Sequence, residues 1–413
     1  MKKLIAIIIA VILAFIIAMG DQIVRMGLSD NPFSVQKIKV MFGFGQSGLI
    51  TSNKPKIPKI TEKVEEVNLT YDERISKGDY YYKRGFLLYA TNEYTKAANL
   101  EPSRSTPYFK LMQANYDLMS YTKANKNADQ ILVLDPTNFK AKYFQVLISI
   151  KQNDLIKAEQ LIDKLILSGV KDNKLTYLKA LLQITFEKHD AGKKLLEQLA
   201  KDPNLDSIVN ANIKKVLLSF QEFKFAKAAE KLYLSELLVR SLSQVGEYEM
   251  AIYKVKNILK QRSDLRDSWI LLGFSYLNLE NYLFALNAFQ SAYKLDSQWP
   301  ATQYFLGITY AELKRYNDAI VYFNYALNNG FKPHIVVKQK LADLYIEVKD
   351  YEKSVAAYEE VLNYNKQDVD AFVRPIWIYL DFLNEPTKAV KLGEAAVINF
   401  PNSPMAYNLL GWS

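Results

Sequence analysis

The chain opens with an unbroken apolar run, Leu4 to Met19, behind Lys2 and Lys3, and no further charge appears until Asp21. A membrane-crossing helix needs about 20 mostly apolar residues, and flanking lysines extend the reach of a short run. The pattern predicts a transmembrane signal anchor over residues 1–20. A cleaved signal peptide, with Ala18-Met19-Gly20 as its small-residue processing site, is the alternative. Either reading carries the rest of the chain across the inner (cytoplasmic) membrane. The two lysines keep the N-terminus in the cytoplasm and leave the remainder on the periplasmic or extracellular side. Regular patterning then lapses over residues 21–69. Pro32, Pro55 and Pro58 interrupt any helix there, and Gly43, Gly45 and Gly48 loosen the chain, so this stretch is expected to be an irregular linker with one apolar patch, Ile38–Phe44.

From residue 70 onward the apolar positions fall at helical spacing, and the helices come in pairs. Tyr248, Tyr282, Tyr316 and Tyr351 recur at intervals of 34 or 35 residues. Ala251, Ala285, Ala319 and Ser354 follow at a constant offset, then Phe289, Phe323 and Tyr358, then Ala292, Ala326 and Val361. Small residues at fixed points let two helix backbones approach closely, while the aromatics fill the space between one helical hairpin and the next. Such a hairpin cannot bury its apolar face alone, so a period of this length predicts stacked hairpins.

At Trp269-x-x-Leu272-Gly273-x-x-Tyr276, followed by Ala285, Phe289 and Ala292, the chain resembles the tetratricopeptide repeat family. Leu306-Gly307-x-x-Tyr310 with Ala319, Phe323 and Ala326 repeats the pattern, and Leu341-Ala342-x-x-Tyr345 begins a third copy. The resemblance implies an all-α fold, a right-handed α-solenoid of antiparallel helix pairs. Running the frame outward divides the chain into a degenerate sub-array over 70–205, an irregular helical junction over 206–245, and a regular sub-array over 246–413. The final residues, Ala406 to Ser413, start the first helix of a further, incomplete repeat. Leu410 and Trp412 there suggest an uncapped end open to self-association or to continuation of the native protein.

Composition narrows the chemistry. The chain has no cysteine, which excludes disulfides, thiolate metal sites and a lipid-modified cysteine. The net charge is +9, but both signs mix along the repeats, so no nucleic-acid partner is expected; the local exception is Lys37, Lys39, Lys54, Lys56 and Lys59 in the linker. Gly43-x-Gly45-x-x-Gly48 has the spacing of a dinucleotide-binding turn. The sequence that follows, Leu49 to Pro55, cannot open the helix such a turn requires, so no cofactor is expected. The two histidines, His189 and His334, lie far apart with no partner visible in the sequence. With no nucleophile elbow or phosphate loop either, the chain is read as not an enzyme.

In the family the first helices of the hairpins line a groove that grips peptides or helices. Carried over position by position, the groove candidates are Phe109, Gln113, Tyr143, Leu147, Ile270, Phe274, Tyr304, Ile308, Gln339 and Asp343. This lining is mostly apolar and aromatic, and Asp79 and Asp343 oppose an acidic ligand, so the resemblance points to apolar or amphipathic protein segments or other subunits of an assembly as partners. The expectation is a membrane-tethered interaction scaffold of an envelope-associated assembly for secretion, pilus, flagellar-motor or envelope biogenesis. The alternative is a client-binding receptor or chaperone-like adaptor.

Overall fold

A computed structural model describes residues 69–225, 231–364 and 368–413. The expected anchor and nearly all of the linker therefore lie outside the described residues. Among the described residues no helix is long and apolar enough to cross a membrane, and there is no strand. The chain divides into two compact units at Ser263/Asp264.

The N-terminal unit holds α1 (Tyr71–Lys83), α2 (Leu87–Leu100), α3 (Thr106–Asp117), α4 (Tyr121–Leu134), α5 (Phe139–Lys151), α6 (Leu155–Leu167), α7 (Asn173–Thr185), α8 (His189–Leu199), α9 (Ser207–Phe225), α10 (Lys231–Gln244) and α11 (Tyr248–Gln261). The C-terminal unit holds α12 (Arg266–Asn278), α13 (Tyr282–Leu295), α14 (Pro300–Glu312), α15 (Tyr316–Asn328), α16 (His334–Glu347), α17 (Tyr351–Tyr364), α18 (Val373–Asp381), α19 (Pro386–Asn399) and α20 (Pro404–Trp412); a 3-10 turn, Val369–Phe372, leads into α18. Consecutive helices pair as hairpins, each with a first (A) and a second (B) helix: α1/α2 to α7/α8, α10/α11, and α12/α13 to α18/α19. Capping fixes several starts. The Thr70 side chain and Glu73 form a reciprocal capping box on α1, and Asn138, Asp154 and Asp172 cap α5, α6 and α7.

The turn between A and B helices is built one way throughout. Its residue with positive φ is Gly85, Met119, Asn153, Glu187, Gly246, Glu280, Lys314, Lys349 or Asn384, spaced by 34 or 35 residues except between Glu187 and Gly246. That one long interval contains α9. The residues expected to be an irregular junction, 206–245, are thus an inserted 19-residue helix, α9, and then α10, the A helix of a regular hairpin with α11. The reason is visible in side chains: α9 buries Val209, Ile213, Val216 and Phe220 along one face, and α10 buries Leu234, Leu237, Leu238 and Leu242.

One close approach recurs inside the hairpins. A Cβ built on Gly78, Gly273 or Gly307 of an A helix would lie 2.4, 2.6 or 2.8 Å from the ring of Tyr94, Phe289 or Phe323 on the B helix. At the equivalent pair of sites the other hairpins carry Met112 with Ala128, Val146 with Ile162, Ala180 with Leu196, Val239 with Val255, Ala342 with Tyr358, and Trp377 with Gly393. Size on one helix is traded against size on the other, because packing at native density leaves one fixed volume between the backbones. One turn earlier on the B helix, Ala90, Ala124, Ala158, Ala251, Ala285, Ala319, Ser354 and Ala389 are all fully buried.

Hairpins are tied to one another by aromatics and by tyrosine hydroxyls. In the C-terminal unit Phe289 stacks on Phe305 at 5.3 Å and Tyr304 on Phe331 at 4.3 Å. Burial, and behind it the carboxylates of Glu312 and Glu347 near the end of the following A helix, push up the hydroxyls of Tyr282 and Tyr316, each of which opens a B helix. Tyr351 instead stacks on Phe382 at 4.2 Å.

Gly307→Met and Phe323→Ala should each destabilise the C-terminal unit, the latter by about 3–5 kcal/mol. The double variant, which copies the Met112/Ala128 solution, should recover at least about 1 kcal/mol of the summed loss. Guanidinium unfolding followed by tryptophan fluorescence reads this unit, since Trp269, Trp299, Trp377 and Trp412 all lie in it. Additive losses would show that the two sites do not share a volume.

Candidate functional site

The ten groove candidates sit on A helices, four in the N-terminal and six in the C-terminal unit, and the structure sorts them. In the C-terminal unit Ile270 and Phe274 on α12 and Ile308 on α14 are half-buried, packed at the margin of the core. Phe274 meets Phe305 edge-on at 5.8 Å. Tyr304 is different: it is 8% exposed, enclosed by Phe305, Phe323 and Phe331. It is a core residue rather than a groove residue, because Phe331, in the connection after α15, covers its ring. Gln339 and Asp343 on α16 remain half-exposed.

Asp343 accepts a hydrogen bond from the Tyr358 hydroxyl. Asp79 accepts one from Tyr94 at 2.7 Å and a salt bridge from Lys110 at 2.6 Å. Asp343 is thus bonded within its own hairpin, and Asp79 is bonded by Tyr94 of its own hairpin and paired with Lys110 of the next. The residue types follow a rule. Where the buried ring of the B helix is Tyr94 or Tyr358, the A helix supplies Asp79 or Asp343; where it is Phe289 or Phe323, the same A-helix position carries Phe274 or Ile308. A buried hydroxyl requires an acceptor and a phenyl ring does not.

In the N-terminal unit Gln113 is exposed and donates to the Tyr82 hydroxyl at 2.9 Å, while Tyr82 donates to Asp117. Burial, then the Asp117 carboxylate, pushes the Tyr82 hydroxyl up to about 12. Phe109 lies beneath the Lys140 ammonium at 5.4 Å. Tyr143 and Leu147 on α5 are half-buried, and α11 of the same unit packs on the A helices α7 and α5.

Two charged clusters fix that contact. At the start of α11, Glu249 accepts from Lys151 of α5 at 2.9 and 3.1 Å. Farther along, Lys254 is fully buried. Its Nζ donates to the Ile184 carbonyl at the end of α7, at 3.1 Å, and to Glu187, and it lies 2.8 Å from Nε2 of His189. Ser235 of α10 donates to the other Glu187 oxygen at 3.1 Å, and Tyr253 meets Phe186 edge-on at 5.3 Å. Partial burial of Glu187 works to raise its carboxyl, but hydrogen bonds from His189 and Lys254 outweigh it and hold the group at about 2. Burial lowers Lys254, with Glu187 opposing. His189, without a visible partner in the sequence, is therefore part of a three-residue cluster. Its partners are 2 and 65 residues away, and only the inserted α9 brings the distant one back. A cleft of about 440 Å³ adjoins it, lined by Glu187, Lys231, Ser235, Asn257, Lys260 and Gln261 among others. Among the described residues no group of three or more His, Cys, Asp or Glu is placed to hold a metal ion.

The constant turn, the small buried residue of each B helix and the shared A/B volume together describe one repeat. That repeat resembles the tetratricopeptide type. No family model matches the chain. Among curated proteins it is similar to a TPR repeat-containing protein of Methanocaldococcus jannaschii, 21% identical over 317 residues, which are 76% of this chain and 53% of the relative. The chain thus spans about half the length of that relative. Among solved structures it is similar to the C-terminal part of a TPR repeat-containing protein from Cytophaga hutchinsonii (17% identity, 64% of this chain and 98% of that one, TM-score 0.39). YrrB, described as a TPR protein with an unusual peptide-binding site, matches at 17% identity over 46% of this chain and 96% of its own, TM-score 0.38. MamA from Desulfovibrio magneticus matches at 14% identity over 43% and 98%, TM-score 0.38. In the N-terminal unit α11 packs on the A helices α7 and α5.

Glu187→Gln should destabilise the N-terminal unit by about 2–4 kcal/mol, because it strands a buried ammonium, whereas Lys254→Met removes the charge, keeps the volume and costs less than about 1.5 kcal/mol. Hydrogen exchange of peptides from α7 and α11 measures both. A larger loss in Lys254→Met would mean that the ammonium serves mainly to cap the end of α7.

Proposed function

We propose that the chain is a protein–protein interaction scaffold, tethered to the cytoplasmic membrane through Leu4–Met19 and holding its repeats on the far side as part of an envelope-associated assembly. The observation that carries the interaction role is the apolar row of Ile270, Phe274 and Ile308. These residues lie on consecutive A helices and are only half-buried, beside the more polar Gln339 and Asp343. A surface that passes from apolar to polar along successive helices suits an amphipathic segment. Receptor-like handling of transient clients is the second reading; the same apolar row favours it equally, and fixed stoichiometry on purification separates a scaffold from it.

Photocrosslinking probes at Phe274 and Ile308, introduced in living cells, should each give a discrete crosslinked band. Capture confined to probes at the exposed B-helix residues Val321 and Tyr325 would remove the A-helix face from the proposal. The topology is tested separately. The chain has no cysteine, so a single Ser413→Cys should react with a membrane-impermeant maleimide once any outer barrier is opened. Labelling only after the cytoplasmic membrane is lysed would reverse the orientation.

A further inference from the structure

We propose that the tip of the first hairpin, α1/α2, docks on the anionic lipid surface of the membrane that holds Leu4–Met19; the proposal rests on the tethered reading above. Residues 80–92 carry Lys83 and Arg84 and no acid. They span the end of α1, the turn and the start of α2. Tyr80, Phe86, Leu88 and Tyr89 are all exposed there, Leu88 by 72%. Their rings form one group with Tyr81. Tyr80 meets Tyr81 at 5.7 Å, Tyr81 meets Tyr89 at 5.5 Å, and Phe86 meets Tyr89 edge-on at 6.4 Å. Lys83 and Arg84 are exposed on the same turn, with the Arg84 guanidinium over the Tyr80 ring at 4.4 Å. The acids that flank the stretch are engaged: Asp79 pairs with Lys110, and Glu93 with Arg74. Asp117 of α3 accepts from the Tyr82 hydroxyl. The tip is therefore apolar, aromatic and positive at once.

That combination selects the occupant. Tyrosine, with an apolar body and a polar end, concentrates where hydrocarbon meets water. Lysine and arginine beside an anionic leaflet gain from its surface potential. The linker is a poor cover for the tip. Its apolar patch, Ile38–Phe44, lies in a stretch, residues 31–60, that holds five lysines and no acid, so it would bring positive charge to a positive surface. Linker and tip instead suit the same negative partner, and both follow the anchor directly in the chain. The equivalent turn between α12 and α13 shows what is special here. It exposes Leu283, by 67%, and Phe284, which stacks on Tyr276 at 5.3 Å. Yet residues 275–287 carry Glu280 and no lysine or arginine. Apolar exposure at this site is shared by the two hairpins, whereas the paired cations belong to the first. A linker extending up to about 3.3–3.6 Å per residue can hold that hairpin far from the bilayer, so tethering alone does not bring the tip to the surface.

The full chain has no cysteine, so Leu88→Cys and, separately, Leu283→Cys each accept one environment-sensitive fluorophore. Both proteins are reconstituted into vesicles of phosphatidylcholine with phosphatidylglycerol, with and without acyl-chain bromination as the quencher. The Leu88 probe should shift to the blue and be quenched by brominated lipid, and the Leu283 probe should do neither. Adding Lys83→Gln and Arg84→Gln to Leu88→Cys should lower the docked-to-undocked ratio by at least about fivefold. Omitting phosphatidylglycerol, or raising the salt, should act in the same direction. If the chain floats with the vesicles but the Leu88 probe is quenched no more than the Leu283 probe, the docking surface is overturned and the tether stands. If the parent chain does not float with vesicles, the tether falls and the docking surface with it. A blue shift at Leu88 without lipid quenching would assign the tip to a second copy of the chain. Quenching that survives the double charge removal would remove the anionic headgroups from the contact. Each of these last two results also overturns the proposal.

Discussion

The spacing between the two backbones of each hairpin is the constraint from which the rest of the molecule follows. It is set by the turn, whose left-handed residue reappears with each hairpin whether that residue is Gly85, Asn153, Met119 or Lys314. An L-residue with a side chain costs about 1–2 kcal/mol in that conformation, so the hairpins at Met119, Glu187, Glu280, Lys314 and Lys349 hold their geometry against a local penalty. Stacking offsets it, because a hairpin with a different opening could not pack on its neighbours. Once the gap is fixed, the side chains in it are sized reciprocally. Glycine faces Tyr94, Phe289 and Phe323, and the order reverses where Met112 packs with Ala128; at Gly393 the close approach is to Leu410 of α20 instead. Degeneracy of the signature in the N-terminal hairpins is therefore a change of partner sizes within the same geometry.

The same contact reaches the surface. A tyrosine in the gap brings a hydroxyl that must be satisfied, and Asp79 and Asp343 meet that need from the A helix. A phenylalanine brings none, and the same site becomes Phe274 or Ile308. The chemistry of the A-helix face is thus partly dictated by the core behind it. An acid on that face therefore has a structural reason inside the hairpin: it accepts from the tyrosine hydroxyl behind it.

Much of this was legible in the sequence. The 34-residue period located the helices because alanine and aromatic residues recur wherever the gap recurs, and Gly273-to-Phe289 and Gly307-to-Phe323 made it plain. The site was legible only in part. Periodicity assigns Tyr304 to the same helical position as Ile270, yet Tyr304 is covered because Phe331, outside the periodic frame, stacks on it. His189 looked solitary because its partner Lys254 arrives through tertiary packing across an insertion. Residues 206–245 looked irregular because α9 breaks the 34-residue frame, although α9 and α10 each keep a helical apolar face. Sequence periodicity reports contacts that repeat, and these three depend on contacts that occur once.

In the N-terminal unit α11, which follows the inserted α9 and α10, meets the A helices through charged groups. In a regular array the face of an A helix meets only what the superhelix turns toward it. With α9 in place, α11 is carried back onto α5 and α7, so surfaces shaped to be at least partly solvated become an internal contact. Polar groups there have to be paired or neutralised once enclosed. Lys254 meets Glu187 and the end of α7, and Lys151 meets Glu249. A contact assembled from such surfaces depends on every pair being complete, whereas one made of Ala, Leu and Phe does not. The N-terminal unit therefore covers part of its A-helix face with a contact built on paired charges, whereas in the C-terminal unit Ile270, Phe274 and Ile308 are left half-buried.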